Sequence, residues 1–123
     1  MAEQLRKRTK AFALRIVELT SRLPKTRAGD VLGTQLLRSG TSVGANYRAA
    51  CRARSKAEFI AKMGIVEEEA DESMYWLELI TEAGLLPASQ TQALLDEASQ
   101  IVAMVVASIN TAKRSNNKKP QPV

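Results

Sequence analysis

An uninterrupted heptad seam limits most strongly what this chain can fold into. Between residues 59 and 80, seven apolar or small residues follow one another in alternating steps of four and three. They are Phe59, Met63, Val66, Ala70, Ser73, Leu77 and Ile80. A mean spacing of about 3.5 residues is typical of helices that pack lengthwise against other helices. The seam therefore predicts a long helix inside a bundle, because a half-buried strand would repeat every second residue.

The rest of the chain shows the same helical spacing of apolar residues, without sustained alternation of apolar and polar positions. Pro24 and Gly84 mark two helix ends, and Ser55 with Glu58 forms a capping box at a helix start. We expect four helices, at about residues 3–22, 27–52, 56–83 and 90–112. Short connections favour antiparallel neighbours, so the predicted fold class is all-α, an antiparallel up-down-up-down four-helix bundle.

The composition near the end of the chain predicts where the domain stops. Ser89 with Gln92 offers a second capping box, which would start the fourth helix. Residues 113–123 are basic and polar and contain proline, a composition that does not form a packed core. We therefore expect a bundle domain over residues 1–112 and a basic, disordered tail over residues 113–123.

Length and cysteine usage bound the class of protein. At 123 residues the chain corresponds to one domain. Cys51 has no second cysteine to pair with, which favours a reducing compartment. The basic N-terminus is not followed by the apolar segment of a signal peptide, and no apolar run approaches the ~18 residues that cross a membrane. We expect a cytoplasmic protein without a membrane partner.

The charges are sorted along the chain. Residues 1–56 hold 13 Lys/Arg and three Asp/Glu, whereas residues 57–112 hold one and ten. Such a layout favours self-association or an anionic partner. The chain contains no histidine, so a serine nucleophile lacks its usual base and a di-metal bundle lacks its usual nitrogen ligands. We expect no enzyme, no catalytic residue, no metal and no cofactor.

A run of small residues interrupts the second predicted helix. Gly40 and Gly44 lie four residues apart, on one side of that helix, and a glycine inside a helix costs about 1 kcal/mol relative to alanine. A phosphate-binding loop is disfavoured, because its lysine and its strand-to-helix turn are absent. We instead predict close helix packing at Ser39, Gly40, Gly44 and Asn46.

Four segments together carry a family resemblance. They are Leu37-Arg38-Ser39-Gly40-Thr41-Ser42-Val43-Gly44-Ala45-Asn46, Arg54-Ser55-Lys56-Ala57-Glu58-Phe59-Ile60, Glu68-Glu69-Ala70-Asp71-Glu72 and Trp76-Leu77-Glu78-Leu79. The chain resembles the four-helix-bundle family of the 23S rRNA intervening-sequence proteins, which is similar to the accessory variability protein of diversity-generating retroelements. The resemblance implies a bacterial, non-enzymatic bundle that assembles as a homopentamer. For the retroelement relatives it also implies binding of nucleic acid and of a reverse transcriptase.

Arginines and lysines of the first two predicted helices and their turns are the candidates for contact with nucleic acid. They are Arg8, Arg15, Arg22, Lys25, Arg27, Arg38, Arg48, Arg52 and Arg54. The planar arginine fork suits phosphate oxygens, and several such contacts give sequence-tolerant, salt-dependent binding. Alternatively, these side chains form a solvated face or pair with acids of the third helix in the same or the next subunit.

The third predicted helix carries the candidate oligomer interface. Ile65, Trp76 and Leu79 lie well round from the heptad seam, which suggests a second buried surface and hence an oligomer. The alternative is a central helix that its neighbours shield on two sides. We predict an interface at Glu68, Glu69, Glu72, Trp76 and Leu79, where the acids could pair with basic helices of a neighbouring subunit.

Two functions remain open from the sequence. The first is a homo-oligomeric, pentameric bundle whose basic surface binds RNA or DNA, as an accessory or assembly protein with a reverse transcriptase as a possible partner. The second is a protein–protein scaffold whose basic and acidic helices pair between subunits, with no role for nucleic acid.

Overall fold

The computed structural model describes residues 2–117, and all the regular structure in that range is helical. The four helices are α1 (Ala2–Thr20), α2 (Arg27–Cys51), α3 (Lys56–Glu82) and α4 (Ala88–Asn117). Each helix packs against its neighbours in sequence, and α4 closes the bundle against α1 through the least extensive of the four contacts. The predicted all-α four-helix bundle is confirmed.

The starts of α3 and α4 differ in their capping. Ser55 Oγ accepts a hydrogen bond from the Glu58 backbone N–H at 3.0 Å, as a capping box requires. The Glu58 carboxylate reaches back one residue further than the motif predicts, to the Arg54 N–H at 2.9 Å. α4 begins earlier than expected, at Ala88, so Ser89 lies inside its first turn and is not an N-cap.

The ends of α1 and α4 also shift from their expected positions. α1 ends at Thr20, and the chain continues to Leu23 through tighter backbone hydrogen bonds before Pro24. α4 continues to Asn117, five residues beyond the expected end at 112, with Arg114 in its last turn. A cation there is favourable, because the C-terminus of a helix carries a partial negative charge. The rest of the expected disordered tail, residues 118–123, lies outside the described residues.

One continuous apolar core runs through the bundle. Six of the seven seam residues are buried, and Phe59 packs half-buried against the same cluster. α1 and α2 contribute Leu5, Phe12, Ile16, Leu19, Leu36, Val43 and Tyr47, and α4 contributes Leu94, Ala98, Ile101, Val105 and Ile109. α3 lies between α2 and α4, so part of its apolar surface is covered inside the chain.

Buried hydroxyls join α2 and α3 within this core. The Oγ atoms of Ser39 and Ser73 lie 3.0 Å apart. Each also lies near a carbonyl oxygen earlier in its own helix, Leu36 O at 3.4 Å and Glu69 O at 2.8 Å. Because a buried polar group without a partner is unfavourable, these contacts explain how serine replaces an apolar residue in the seam.

The small residues of α2 bring that helix close to α1. A Cβ added at Gly40 would lie 2.9 Å from both γ carbons of Ile16. A Cβ at Gly44 would lie 3.3 Å from Thr9 O on the backbone of α1. The residues predicted to pack closely therefore contact two different helices, since Gly40 and Gly44 contact α1 whereas Ser39 contacts α3. Asn46 bonds within α2, donating to Ser42 O at 2.9 Å.

By length and composition alone, α4 could cross a membrane. Within the described residues, the segment Ala88–Ser115 has a window of mean hydropathy 1.3. The expectation that no apolar run approaches a spanning length is therefore wrong for α4. Its apolar composition also follows from the bundle, because five of its residues enter the core. A single helix of this kind is weak evidence for a membrane span, since core helices of soluble bundles share its composition.

Candidate nucleic-acid interface

Three of the nine cations predicted to contact nucleic acid form ion pairs within the chain. Arg22 pairs with Glu18 one turn earlier in α1, at 3.1 Å, and also donates to Gln90 Oε1 at 3.2 Å. Arg8 and Arg38 each bridge two helices. Of these three, only Arg38 pairs with acids of the third helix, as the alternative expects; Arg8 pairs with α4 and Arg22 within α1.

Arg8 joins α1 to α4. Its Nη2 and Nε donate to the two carboxylate oxygens of Glu97 at 2.7 and 2.9 Å, and Nη2 also donates to Gln100 Oε1 at 2.7 Å. The hydrogen bond to Glu97 raises the pKa of Arg8 above its ordinary value. Such two-point contacts hold a guanidinium firmly, so Arg8 serves the bundle and offers little free charge to a ligand.

Arg38 joins α2 to α3. It donates to Glu69 Oε1 at 3.3 Å and forms a closer ion pair with Glu72. Trp76 Nε1 donates to the same Glu72 carboxylate at 3.0 Å. Three members of the predicted oligomer interface, Glu69, Glu72 and Trp76, are therefore engaged with their own chain.

The other six predicted cations form no ion pair within residues 2–117. They are Arg15, Lys25, Arg27, Arg48, Arg52 and Arg54. They do not form one patch, because Arg27 and Arg52 lie at opposite ends of α2, about 37 Å apart along its axis. The site predicted as a single surface is thus divided between the two ends of the bundle.

A groove between α1 and α2 gathers part of this charge at one end. The groove encloses about 590 Å³, and its walls carry four cationic side chains, Arg6, Lys10, Arg48 and Arg52. Its remaining lining is mostly small or hydroxyl-bearing, from Thr9, Ala13, Thr41, Gly44 and Ala45. The groove forms because these short side chains do not fill the surface depression between α1 and α2, two helices that pack closely at Gly40 and Gly44.

No acidic side chain lines this α1–α2 groove. Arg6 pairs with Glu3 at 2.8 Å, but both side chains are mostly exposed. Lys10, Arg48 and Arg52 form no ion pair in the described part of the chain. The groove therefore presents net positive charge to any ligand that enters it.

Sequence reasoning missed two of the four groove cations. Arg6 and Lys10 are one turn apart on α1, on a different side from the Arg8, Arg15 and Arg22 row. Their spacing alone predicts a shared face, but the sequence does not show that this face borders Arg48. The signal that could have found them is the small-residue run of α2, since it predicts where another helix approaches.

Tyr47 and Cys51 lie at the same end of α2. Tyr47 is buried, and its hydroxyl donates to Ala2 O at 3.3 Å. Burial, and then a hydrogen bond with Cys51, raise the pKa of Tyr47 well above its ordinary value. The exposed Cys51 thiol lines the α1–α2 groove, and Cys51 is the single cysteine of the chain.

Comparison with known proteins decides the family. The sequence profile described as 23S rRNA-intervening sequence protein matches residues 3–107. The chain belongs to the 23S rRNA-intervening sequence protein family. The matched residues contain the whole α1–α2 groove and all but the last part of α4.

A solved structure supports the same family assignment. It is a protein with unknown function from the S23 ribosomal protein family of Bacteroides thetaiotaomicron VPI-5482. The two chains are 36% identical, with a TM-score of 0.81, over 85% of this chain and 97% of the other. Among curated proteins, none matches the chain significantly.

The predicted oligomer interface can also be located in the described part of the chain. Of the predicted oligomer interface, Glu68 is exposed and Leu79 is half-buried, while Trp76 packs against the core and makes a T-shaped contact with the Tyr75 ring. Within residues 2–117, no three cysteine, aspartate or glutamate side chains lie together in a group that could hold a metal ion.

Proposed function

We propose that this chain is a non-enzymatic, homo-oligomeric bundle that binds nucleic acid through the basic surface of α1 and α2. The observation that carries the proposal is the α1–α2 groove, where four cations converge and no acidic side chain lines the walls. The predicted cations that form no ion pair within residues 2–117 extend this positive charge along α1 and into the turns before and after α2. RNA and DNA carry a regular row of phosphate anions, which a basic surface of this kind can bind.

The charge arrangement favours binding without base specificity. Contacts from lysine and arginine to phosphates position a nucleic acid but carry no sequence information. For about four phosphate contacts, the affinity is expected to fall on the order of a hundredfold between about 50 and 200 mM salt.

Fluorescence anisotropy with a labelled RNA hairpin, repeated across salt concentrations, tests the proposal. We expect saturable binding at low salt and a linear decrease of log affinity with log salt. An uncharged polymer of similar size serves as the control ligand. Affinity for the hairpin no greater than for this polymer would overturn the nucleic-acid function.

Self-association is the second part of the proposal. Within residues 2–115, six large apolar side chains are exposed in the single chain, namely Leu14, Val17, Val31, Leu37, Ile65 and Tyr75. Residues 98–112 of α4 contain no charged side chain at all. Surfaces of this kind favour burial against another protein, and the family resemblance suggests a pentamer. Native mass spectrometry measures the subunit number directly, and a monomer would contradict this part.

An accessory role follows from the family resemblance rather than from the geometry. In this version of the proposal, the oligomer assists a nucleic-acid process and contacts a reverse transcriptase as well as RNA or DNA. A gene located within a ribosomal RNA operon or beside a reverse transcriptase gene would support it. Failure of the reverse transcriptase to co-purify would contradict that partner.

The scaffold function remains the second candidate, because Arg38 already pairs with acids of α3 inside the chain. If similar pairs form between subunits, they would use the remaining basic surface. Substituting Arg15→Glu and Arg22→Glu separates the two candidates. Loss of the oligomer would favour the scaffold, whereas an intact oligomer with weakened RNA binding would favour the nucleic-acid function.

A further inference from the structure

We propose that the α1–α2 groove is the docking site of a single nucleic-acid strand, held by its phosphates and not by its bases. This inference rests on the proposed nucleic-acid function and adds where the ligand binds, which strand form it takes and which groups are recognised.

The size of the groove favours a single strand over a duplex. A volume of about 590 Å³ falls within the range of about 300–1,000 Å³ that is usual for pockets that enclose compact ligands. A few linked nucleotides fit a site of this size, whereas a duplex would contact only its rim. The groove is therefore better suited to a strand that enters it.

The cations follow the groove along its length. Lys10 lies one turn from Arg6 on α1, and Arg52 lies one turn from Arg48 on α2, about 6 Å apart in each case. Because α1 and α2 are antiparallel and Gly44 faces Thr9, this register brings Arg6 to about the level of Arg48. The positive groups thus form a row that can meet successive phosphates of one strand.

The groove lacks aromatic rings and side-chain amides, two kinds of group that commonly recognise bases. No aromatic side chain lines it, so bases have no ring on which to stack. The hydroxyls of Thr9 and Thr41 both donate to carbonyl oxygens of their own helices. The donors left for a ligand are the lysine and arginine groups, which suit phosphate oxygens. Recognition is therefore expected to be independent of sequence.

Cys51 supplies a reporter inside the groove. Alkylation of its thiol by uncharged iodoacetamide is measured in the full-length protein, alone and with a 12-nucleotide single-stranded RNA of mixed sequence. We expect the strand to slow alkylation in proportion to the fraction of protein bound, as determined by anisotropy in parallel. Binding without protection of Cys51 would overturn the groove assignment and leave the proposed function intact.

A pair of matched variants tests the groove without the thiol. Arg48→Ala with Arg52→Ala removes two groove charges near the end of α2, and Lys113→Ala with Arg114→Ala removes two charges near the end of α4. We expect the groove variant to lose about tenfold or more in strand affinity and to lower the salt slope by about two, while the α4 variant binds as the wild type does. Equal effects of both variants would overturn the inference.

Two further ligands test whether the groove selects a single strand over other phosphate-containing ligands. Inorganic triphosphate supplies linked phosphates without a strand, and an RNA duplex supplies phosphates on a rigid helix. Protection of Cys51 by triphosphate as strong as by the RNA strand, at equal phosphate concentration, would overturn the strand assignment. Stronger protection by the duplex would do the same. Absence of binding by every RNA would overturn both this inference and the proposed function.

Discussion

Gly40 lies where α2 packs against α1, and its neighbour Ile16 leaves no room for a side chain. Ile16 is fully buried and branched at Cβ, so it has few rotamers with which to move away. The helix propensity that glycine forfeits is thus offset by the close approach it permits.

Substituting Gly40→Ala is expected to destabilise the protein by about 1 kcal/mol or more, because overpacking outweighs the gain in helix propensity. Gly64→Ala is the matched control, since it also lies inside a helix but nothing lies within 4 Å of its added Cβ. We expect the control to stabilise by about 0.5–1 kcal/mol. Urea denaturation measures both changes, and similar changes in the two variants would contradict the packing argument.

Tyr47 is expected to make stability depend on alkaline pH. Burial raises the pKa of Tyr47 in the folded protein, so the unfolded chain loses this proton first, near the ordinary value of about 10. The contribution of Tyr47 is therefore fully present below about pH 10 and is lost as the pH rises further.

The variant Tyr47→Phe should lack this loss. Above about pH 10, the free energy of unfolding of the wild type is expected to fall relative to the variant by up to about 1.4 kcal/mol per pH unit. Urea denaturation at a series of pH values measures the difference. Parallel pH profiles would contradict the raised pKa.

Among the helix pairs, α1 and α4 make the smallest contact, so the Arg8–Glu97 ion pair should matter most there. Its side chains are 25% and 19% exposed, against 54% and 67% for the Arg6–Glu3 pair within α1. A double-mutant cycle on Arg8 and Glu97 is expected to give a coupling energy of about 1 kcal/mol. The same cycle on Arg6 and Glu3 should give less than about 0.5 kcal/mol. Equal coupling energies in both pairs would show that partial burial does not strengthen the Arg8–Glu97 ion pair.

The two serines that the sequence marks as helix starts should respond differently to substitution. Ser55→Ala removes the hydrogen bond to the Glu58 N–H and is expected to destabilise by about 1 kcal/mol. Ser89→Ala changes an exposed residue within the first turn of α4 and should leave stability within about 0.5 kcal/mol of the wild type. Thermal unfolding of both variants provides the comparison.

The helices could be predicted because their signals are local, while the site could not because its partners are distant. The seam from Phe59 to Ile80 needs only its own spacing. By contrast, Arg8 finds its partner 89 residues away, and nothing near Arg8 in the sequence indicates Glu97. The groove likewise depends on the register between α1 and α2, which contacts such as that of Gly44 with Thr9 determine.

Across the whole molecule, the charge asymmetry of the sequence is partly neutralised within the chain. Arg38 meets two acids of α3, and Arg8 meets an acid of α4. The charge that remains is concentrated where acids are absent, in the α1–α2 groove and the turns that flank α2. The excess of positive charge in residues 1–56 is therefore less available to a partner than its total suggests.

The uncharged outer face of α4 is expected to lie in contact between subunits. Ala103 is exposed midway along residues 98–112, so Ala103→Glu would place a carboxylate where a partner would have to desolvate it. We expect dissociation to a smaller assembly with unchanged helicity, measured by light scattering and circular dichroism. Ala11→Glu, exposed on α1, is the control.

Two other outcomes would contradict the prediction that the uncharged outer face of α4 lies between subunits. The first is that Ala103→Glu and the wild type have the same mass in solution. The second is that the wild-type protein co-sediments with lipid vesicles and Ala103→Glu does not, which would indicate that the α4 face meets lipid instead of protein.

The distance between the two walls of the groove is determined by residues inside the bundle. Gly40 and Gly44 determine how near α2 lies to α1, and the cations stand on the outer edges of the same two helices. A substitution that no ligand could touch would thus alter the width available to a ligand. Folding and recognition cannot be varied independently at this pair of helices, because the same two glycines constrain both.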